Sequence, residues 1–157
     1  MNLKAKIIAH LAEHSLPYEY LEHAPTPTCE LSAQARGLDQ RFGGKTLLLK
    51  DKHGFKLFTL SAAREADSKK IRHILASQKL RFASEDELLQ LVGVSKGALP
   101  PFGRPILDFP HYLDESIYQN ELIAFNPGVL EASIIMKRAD YLLLTPHSIR
   151  CEFSQKV

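Results

Sequence analysis

The sequence predicts a mixed α+β fold of the broad α/β class, in which helices surround a central mixed β-sheet. Several segments repeat apolar residues at helical spacing, whereas others are short apolar or alternating runs typical of strands. These segments do not follow the strict strand–helix alternation of a doubly wound parallel sheet. With 157 residues, 45% of them hydrophobic and 24% charged, the chain is large enough to bury its own core. We therefore expect residues 1–157 to form a single domain.

The overall composition argues against a broadly basic nucleic-acid-binding protein. The formal net charge is only +2, so a surface for nucleic acid would have to be a local cluster of cations. Cys29 and Cys151 are the only cysteines, and residues 1–14 are amphipathic, unlike a signal peptide. No apolar run is long enough to span a bilayer. We expect a cytoplasmic protein with reduced thiols and no membrane association.

The N-terminal part is predicted to hold a helix, a short strand and a second helix. The first helix covers residues 3–14 and ends before Pro17, which cannot continue it. A strand at residues 18–21 is followed by His23–Thr28, a loop that its two prolines make stiff and extended. Thr26 or Thr28 would cap the second helix, which ends at Gly37.

Two patterns in this region suggest catalytic chemistry. His10, Glu13 and His14 match the H-x-x-E-H pattern of inverted zinc peptidases, but the same helix face carries core residues and no third ligand is evident. Cys29 would lie in the first turn of the second helix, where the helix dipole lowers the pKa of a thiol, and His23 would be its base. Nothing in the sequence orients His23, so the alternative is that Cys29 is simply a packed thiol.

The segment Gly43–Lys50 is the strongest candidate binding feature. Two glycines leave room for a ligand to approach the backbone, and Lys45 follows at the start of an apolar strand. We expect its ammonium group to meet a phosphate or a carbonyl oxygen; the alternative is a lysine that ends a loop in solvent. A Walker A phosphate loop is rejected, because Asp39 stands where that motif needs its first glycine and a strand follows where it needs a helix.

The middle of the chain is predicted to contain a hairpin, two helices and a short strand between these helices. The hairpin strands cover residues 46–50 and 55–60, the helices residues 68–77 and 84–93, and the short strand residues 80–83. Ser84 and Glu87 form a capping box at the start of the second of these helices. The densest cationic cluster of the chain, which we call the basic cluster, consists of Lys69, Lys70, Arg72, Lys79 and Arg81. A phosphate-contacting surface and a solvated helix face are both compatible with it.

The segment Gly93–Gly103 is predicted to be a preformed ligand loop. It contains three glycines and two prolines, so it is stiff at the prolines and sterically open at the glycines. Backbone amides in such a loop can be aimed at an oxyanion or a carboxyl group.

The C-terminal part is predicted to contain three more strands and a helix. Residues 106–109 and 117–118 flank a turn region. Two strands at residues 121–125 and 132–136 are joined through Asn126–Gly128, and a short helix at 137–144 precedes a last strand at 149–153.

Five motifs occur along the chain in a fixed order. They are a His-x-Pro start with its helix (His23, Pro25, Thr28–Gly37), a Lys-Thr-Leu-x-Leu-Lys strand (Lys45–Lys50), a Lys-Lys-Ile helix, the passage Leu80–Leu88, and a Gly-x-x-x-Pro-Phe-Gly loop (Gly97, Pro101, Phe102, Gly103). Together they cover nearly the whole chain. In this respect the sequence resembles the YbaK/prolyl-tRNA-synthetase-associated domain family, whose members are editing domains that hydrolyse mischarged aminoacyl-tRNA.

The resemblance implies a partly barrel-like sheet and a trans-acting aminoacyl-tRNA deacylase that needs no cofactor and no metal. It implies that Lys45 engages the terminal adenosine of the tRNA and that the backbone of the glycine-proline loop holds the aminoacyl group. Hydrolysis then requires a positioned water, aided by a ribose hydroxyl, and stabilisation of the negative charge on the carbonyl oxygen. The expected catalytic residues are therefore Lys45, Gly97, Ala98, Leu99, Pro100 and Pro101.

The resemblance also implies residues that contact the substrate. The expected substrate-binding residues are His23, Thr46, Phe102, Gly103 and Asn126, and the basic cluster is expected to touch tRNA phosphates. Asn126 stands where several relatives carry a histidine, and its amide can form hydrogen bonds but cannot titrate.

The implied partner is mischarged aminoacyl-tRNA, with an aminoacyl-tRNA synthetase or an elongation factor as further candidates. We expect the protein to be a monomer. The resemblance does not indicate which amino acid or which tRNA is edited. The alternative function is a non-catalytic tRNA-binding or partner-docking module that retains the pocket.

Overall fold

The computed structural model describes residues 1–157 and has ten β-strands and six α-helices. The helices are α1 (Leu3–Glu13), α2 (Cys29–Arg36), α3 (Ser68–Leu75), α4 (Glu85–Leu91), α5 (Glu115–Tyr118) and α6 (Arg138–Leu143). The strands are β1 (Glu19–Glu22), β2 (Gly44–Asp51), β3 (Gly54–Ser61), β4 (Arg64–Ala66), β5 (Arg81–Phe82), β6 (His111–Asp114), β7 (Leu122–Phe125), β8 (Ala132–Lys137), β9 (Ile149–Cys151) and β10 (Ser154–Lys156). The predicted mixed α+β class is confirmed.

The strands form three sheets. The largest has five strands in the order β5-β2-β3-β6-β9 and is mixed, because β5-β2-β3 pair antiparallel and β3-β6-β9 pair parallel. A three-stranded sheet has the order β1-β8-β7, and β10 pairs with β4. A single parallel bridge between Gly43 and Ala124 links the start of β2 to the end of β7. The barrel-like closure of the sheet stays a prediction.

Several helix boundaries follow from caps that the sequence predicts. The Thr28 hydroxyl oxygen accepts a hydrogen bond from the Leu31 amide at 3.2 Å, and Gly37 ends α2 in the left-handed region at φ +67°. Ser84 and Glu87 form the predicted capping box at the start of α4. These caps satisfy amides that would otherwise lack partners at a helix end.

The prediction of a turn region between residues 109 and 117 is wrong. It contains β6 and the start of α5, and Ile117 is a buried residue of that helix. β4 and β10 were not predicted either, and the predicted last strand at 149–153 is shorter in the structure, where β9 ends at Cys151. These strands have three or four residues each, too few to show a periodicity, and their partners are distant in sequence.

The core consists of three clusters, and two of them fix the loop at residues 93–103. Phe102 packs with α1, β7 and α6 in the largest cluster. Val94, Ala98 and Leu99 pack against β2 and β3 in the second. Burial of a large apolar side chain stabilises a protein by about 1.5–3 kcal/mol, so buried side chains anchor this loop on both sides of its exposed residues 95–97.

Asp114 at the end of β6 connects this strand to the C-terminal segment. Its side chain accepts hydrogen bonds from the Phe153 amide (2.7 Å), the Ser154 amide (3.1 Å), the Ser154 hydroxyl (2.7 Å) and the Ser116 amide (3.0 Å). Burial raises the pKa of this carboxyl group, but the hydrogen bonds outweigh it and hold the pKa below its usual value. Asp114 is therefore a buried carboxylate whose lone pairs are matched by protein donors.

Candidate active site

A cavity of about 690 Å³ opens at the edge of β2, within the ~300–1,000 Å³ typical of ligand sites. One wall is the inner face of α2 and another is the first half of β2. The loop around Gly97 and the segment from β5 into α4 complete it, and the end of β7 contributes Ala124 and Asn126. Two segments that the sequence singled out, around Lys45 and around Gly97, thus face the same cavity.

Lys45 lies in this wall and is half-buried. Its ammonium group donates a hydrogen bond to the Arg64 carbonyl at 2.6 Å, which leaves further N–H donors on the same nitrogen. No carboxylate forms a salt bridge with it. The lysine therefore does not simply end a loop in solvent.

The two glycines before Lys45 line the cavity and also pack closely against neighbouring residues. A Cβ atom on Gly43 would lie 2.9 Å from the Ala62 Cβ, and one on Gly44 would lie 2.8 Å from the Ile123 Cδ1. The first contact brings the start of β2 against the end of β3 and the second brings it against β7, which the sequence interpretation of an open backbone did not foresee.

The loop presents fewer free amides than the five residues Gly97–Pro101 suggest. Gly97 and Leu99 line the cavity, and their amides donate to no other backbone group. The Ala98 amide donates to the Ser95 carbonyl at 3.1 Å, and the residue is buried in the second core cluster. Pro100 and Pro101 have no N–H and do not line the cavity. The candidate donors are therefore Gly97 and Leu99.

Gly97 also has a conformation that few other residues adopt. Its φ is +92°, and an added Cβ would lie 2.9 Å from the Pro27 carbonyl oxygen. The loop thus packs directly on the stiff segment that precedes α2.

The five expected substrate-binding residues divide into two groups. Thr46 and Asn126 line the cavity. Phe102 is buried in the core and Gly103 packs beside His111, so neither reaches the cavity wall. His23 lies outside the wall, with Nε2 2.8 Å from the Ser133 hydroxyl and Nδ1 2.8 Å from the Ala24 carbonyl. His23 is therefore linked to the cavity wall only through Ser133, whose hydroxyl also contacts Arg36.

Thr46 is also the first member of a short polar chain that leads away from the cavity. Its hydroxyl is 2.9 Å from the Thr59 hydroxyl, which in turn is 2.8 Å from His111 Nε2. His111 is buried. The orientation of the Thr46 side chain is thus fixed by two further residues.

Arg36 is a cavity residue that the sequence did not single out. Its guanidinium donates from Nε to the Ser133 hydroxyl at 2.8 Å and from one terminal nitrogen to the Asn126 Oδ1 at 3.3 Å. Burial lowers the pKa of Arg36 to about 10, so the group remains charged at neutral pH. A cation before a C-terminal glycine is common because it complements the helix dipole, which is why the sequence offered no signal for it.

The charges on the wall are unevenly matched. Arg36, Lys45 and Lys96 face the cavity together with Asp39 and Glu85. None of the five salt bridges of the protein includes a residue of the wall. The wall therefore has one more cation than anion, and none of these charges is held in a salt bridge.

Cys29 lines the cavity, but its environment is not that of an activated thiol. Burial raises the pKa of Cys29, and the nearby Lys45 ammonium opposes this only in part. The prediction of a lowered pKa is wrong, because burial raises the pKa of Cys29 by more than the neighbouring Lys45 and Arg36 lower it. His23 forms its hydrogen bonds with other groups, so the structure does not show a Cys-His pair.

The basic cluster lies outside the cavity wall. Three of its members are engaged within the protein: Lys70 with Glu152, Arg72 with the Gln78 carbonyl, and Arg81 with both carboxylate oxygens of Glu87. Lys69 and Lys79 are exposed, and no side-chain hydrogen bond or salt bridge holds them.

The H-x-x-E-H segment is part of the core and its border. His10 is buried, with Nε2 3.3 Å from the Leu144 carbonyl, and its ring lies edge-on to Phe102. No group of three histidine, cysteine or acidic side chains that could hold a metal ion occurs in the structure. None of the helices has the length and apolarity needed to cross a membrane.

The structure thus combines a mixed α+β fold with a cavity whose wall holds cations outside any salt bridge and two loop residues, Gly97 and Leu99, whose amides donate to no backbone group. The family model for the aminoacyl-tRNA editing domain matches residues 23–144. The chain belongs to this aminoacyl-tRNA editing domain family.

Individual relatives agree with this membership. The chain is 31% identical over 143 residues to the Multifunctional Ser/Thr-tRNA deacylase ProXp-y of Escherichia coli (strain K12), covering 87% of this chain and 84% of that protein. It is 28% identical over 145 residues to the Prolyl-tRNA editing protein ProX of Acetoanaerobium sticklandii, covering 89% and 88%. A crystal structure described as a candidate trans-editing enzyme for prolyl tRNA synthetase superposes with a TM-score of 0.83 at 23% identity, covering 99% of this chain and 98% of that one. At this identity the superposition supports the fold alone.

Proposed function

We propose that this protein is a trans-editing hydrolase that cleaves the ester bond of mischarged aminoacyl-tRNA and releases the amino acid. In this proposal it acts as a single-domain monomer, Lys45 anchors the 3′ end of the tRNA, and the amides of Gly97 and Leu99 hold the aminoacyl carbonyl. The family membership supports the reaction class.

One observation carries the assignment of roles: Lys45, Gly97 and Leu99 line the same cavity, and the amides of Gly97 and Leu99 donate to no backbone group. The substrate has negative phosphates and ribose hydroxyls at one end and an ester carbonyl at the other. A cation suits the first and amide donors suit the second. Because the loop is anchored by buried side chains, its amides need no reorganisation when charge develops on the carbonyl oxygen.

The reaction in this site is direct hydrolysis by water. The water oxygen attacks the carbonyl carbon, the bond from that carbon to the ribose oxygen breaks, and the proton goes to the ribose oxygen. The products are the free amino acid and a tRNA with a free terminal hydroxyl. The site contributes positioning and electrostatic stabilisation, and loss of one oxyanion donor in other enzymes costs about a hundredfold or more in rate.

The side chains near the cavity fit this reaction better than covalent catalysis. The Cys29 thiol has a raised pKa, which disfavours a thiolate nucleophile. Asn126 cannot act as a base. Its Oδ1 accepts from Arg36 and its amide nitrogen donates to the Ala132 carbonyl at 2.8 Å, so its place in the wall is fixed.

Seryl and threonyl esters are the first substrates to test, since a relative at 31% identity is named a Ser/Thr-tRNA deacylase. Alanyl and cysteinyl esters complete the panel. Synthetases discriminate small apolar and hydroxylated amino acids by only about a hundredfold, so these are the esters for which a separate editing step is useful.

The test is deacylation of this panel of mischarged tRNAs by the wild-type protein and by Lys45→Ala. We expect the wild type to release the amino acid from at least one tRNA, and Lys45→Ala to lose about a hundredfold or more of this rate. Circular dichroism and thermal unfolding check that the variant is folded.

Lys6→Ala is the matched control, because Lys6 is an exposed lysine of α1 outside the cavity. It should retain the wild-type rate. A panel in which every tRNA stays charged would contradict the proposed reaction. Salt-dependent tRNA binding without ester cleavage would favour the non-catalytic tRNA-binding module. An active Lys45→Ala would contradict only the role of the lysine.

A further inference from the structure

Phe82 has a position that packing does not explain. Nine large hydrophobic side chains are exposed in this protein, and Phe82 is the only one of them that lines the cavity. The residue is 62% exposed. It is also the only aromatic residue of the wall. An exposed aromatic ring at the border of a charged cavity is a typical ligand contact rather than a core residue.

The backbone on both sides of Phe82 is held firmly. β5 pairs with β2 at Leu49–Phe82 and Lys50–Arg81, and the next amide, that of Ala83, donates to the Leu48 carbonyl at 2.8 Å. Ser84 then opens α4 with its capping box. A two-residue strand with such support positions the ring although the ring itself is not packed.

The side chain of Arg81 strengthens this arrangement. Its guanidinium donates to both carboxylate oxygens of Glu87 at 2.7 and 3.0 Å, and the same carboxylate accepts from the Ser84 amide at 2.9 Å. Glu87 thus ties β5 to the first turn of α4. The ring of Phe82 lies between these two fixed points in the chain.

We propose that Phe82 is the stacking surface for the terminal nucleobase of the RNA substrate. This inference rests on the proposed function. When the ester carbonyl lies at the amides of Gly97 and Leu99, the terminal ribose lies in the cavity and its base must lie against the wall. Phe82 is the aromatic face available there. Stacking of a base on an aromatic side chain contributes about 1–3 kcal/mol and tolerates any base, because every base has a π face.

The test compares two esters of the same amino acid, chosen as one that the wild type hydrolyses: the ester of adenosine and the methyl ester, which has no base. Phe82→Ala should raise the KM for the adenosine ester by about 5- to 150-fold, which is the stacking energy converted at 1.4 kcal/mol per tenfold. The same variant should hydrolyse the methyl ester as the wild type does. Phe82→Trp should restore the KM for the adenosine ester to near the wild-type value.

Leu89→Ala is the matched control, since Leu89 is 63% exposed on α4 and does not line the cavity. It should behave as the wild type with both esters. Equal effects of Phe82→Ala on the two esters, or no effect on either, would overturn the proposal. Failure of the wild type on every ester and every charged tRNA would instead overturn the proposed function.

A binding measurement keeps the proposal testable without turnover. The probe is an uncharged RNA hairpin whose single-stranded 3′ end terminates in 2-aminopurine, a base whose fluorescence falls when it stacks. We expect quenching by the wild type and by Leu89→Ala, and a loss of quenching with Phe82→Ala. Quenching that is the same for all three proteins would overturn the stacking role.

Discussion

The cations of the cavity wall and the cations of the outer surface are treated differently by this fold. On the outer surface, several cations pair with carboxylates, as in Arg150–Glu115 at 2.6 Å and Arg104–Asp108 at 2.6 Å. In the cavity, Lys45 and Arg36 are held by neutral oxygen atoms instead. The outer pairs lie where solvent screens them, and they contribute little to stability.

The difference shows that the protein leaves partly buried cations in the cavity without a carboxylate partner, which is energetically unfavourable. A partly buried cation loses hydration, and a carboxylate partner would normally compensate for it. Here Ser133, Asn126 and backbone carbonyls orient the two cations without neutralising them. The charge remains available for a ligand that brings its own negative charge, and this agrees with an RNA end as that ligand.

The most direct test of this comparison is a substitution that places a carboxylate beside the Arg36 guanidinium. Asn126→Asp is nearly isosteric and places a negative oxygen where Oδ1 now accepts from the guanidinium at 3.3 Å. We expect the variant to lose at least about tenfold in kcat/KM for the mischarged tRNA, because an internal ion pair replaces the free charge. Steady-state deacylation measures this.

The control for this substitution adds the same charge elsewhere. Gln119→Glu lies at the end of α5, outside the cavity, and should stay within about twofold of the wild type, as surface substitutions usually do. Equal losses in both variants would mean that the net charge of the protein matters, and not the pairing of Arg36.

His111, a buried imidazole outside the cavity, provides a second comparison with the cations of the cavity wall. Burial lowers the pKa of His111 to about 3, so this ring, unlike the guanidinium of Arg36, is neutral at pH 7. An unfolded chain protonates it near pH 6.5 and therefore binds more protons than the folded protein between pH 6.5 and 3. Because of His111, the free energy of unfolding should therefore fall by up to about 1.4 kcal/mol for each unit by which the pH is lowered in this range.

Urea unfolding at pH 7.5, 6.5 and 5.5 measures this dependence. His111→Gln keeps a polar side chain near Thr59 but cannot titrate, so its stability should decline less between pH 6.5 and 5.5 than that of the wild type. Parallel declines in the two proteins would contradict the assignment.

The smallest expected effect concerns the outer surface alone. Lys79 is exposed and unpaired, whereas Arg150 is paired with Glu115. If Lys79 contacts a tRNA phosphate, Lys79→Gln should reduce the slope of log Kd against log salt concentration by about one. Arg150→Gln should leave the slope unchanged. Filter binding at several salt concentrations distinguishes the two, and identical slopes in all proteins would exclude Lys79 from the interface.

Much of the fold could be predicted because it follows from local chemistry. The caps at Thr28 and Ser84, the C-terminal glycine of α2 and the hairpin of β2 and β3 depend on neighbouring residues. β6 could not be predicted in the same way. It has four residues and its neighbours in the sheet are β3 and β9, so only the packed sheet identifies it as a strand.

The candidate site shows the same division. Lys45 and Gly97 stand out in the sequence because glycines and prolines mark their surroundings. Arg36 and Phe82 do not, since a helix-terminal arginine and an aromatic residue in a short strand are ordinary features. Their place on the cavity wall depends on how α2 and β5 pack against β2. The free amides of the loop also required the structure, because the hydrogen bond from Ala98 to Ser95 is invisible in the sequence.

The hydrogen bonds of Asp114 have a consequence for the folding of this protein during its synthesis on the ribosome. Two backbone amides and one hydroxyl that satisfy its carboxylate belong to Phe153 and Ser154, about forty positions later. Until those positions have left the exit tunnel, the central strand β6 would bury a carboxylate with most of its donors missing, which is costly. We therefore expect the main sheet to close only after residues 153 and 154 have left the exit tunnel.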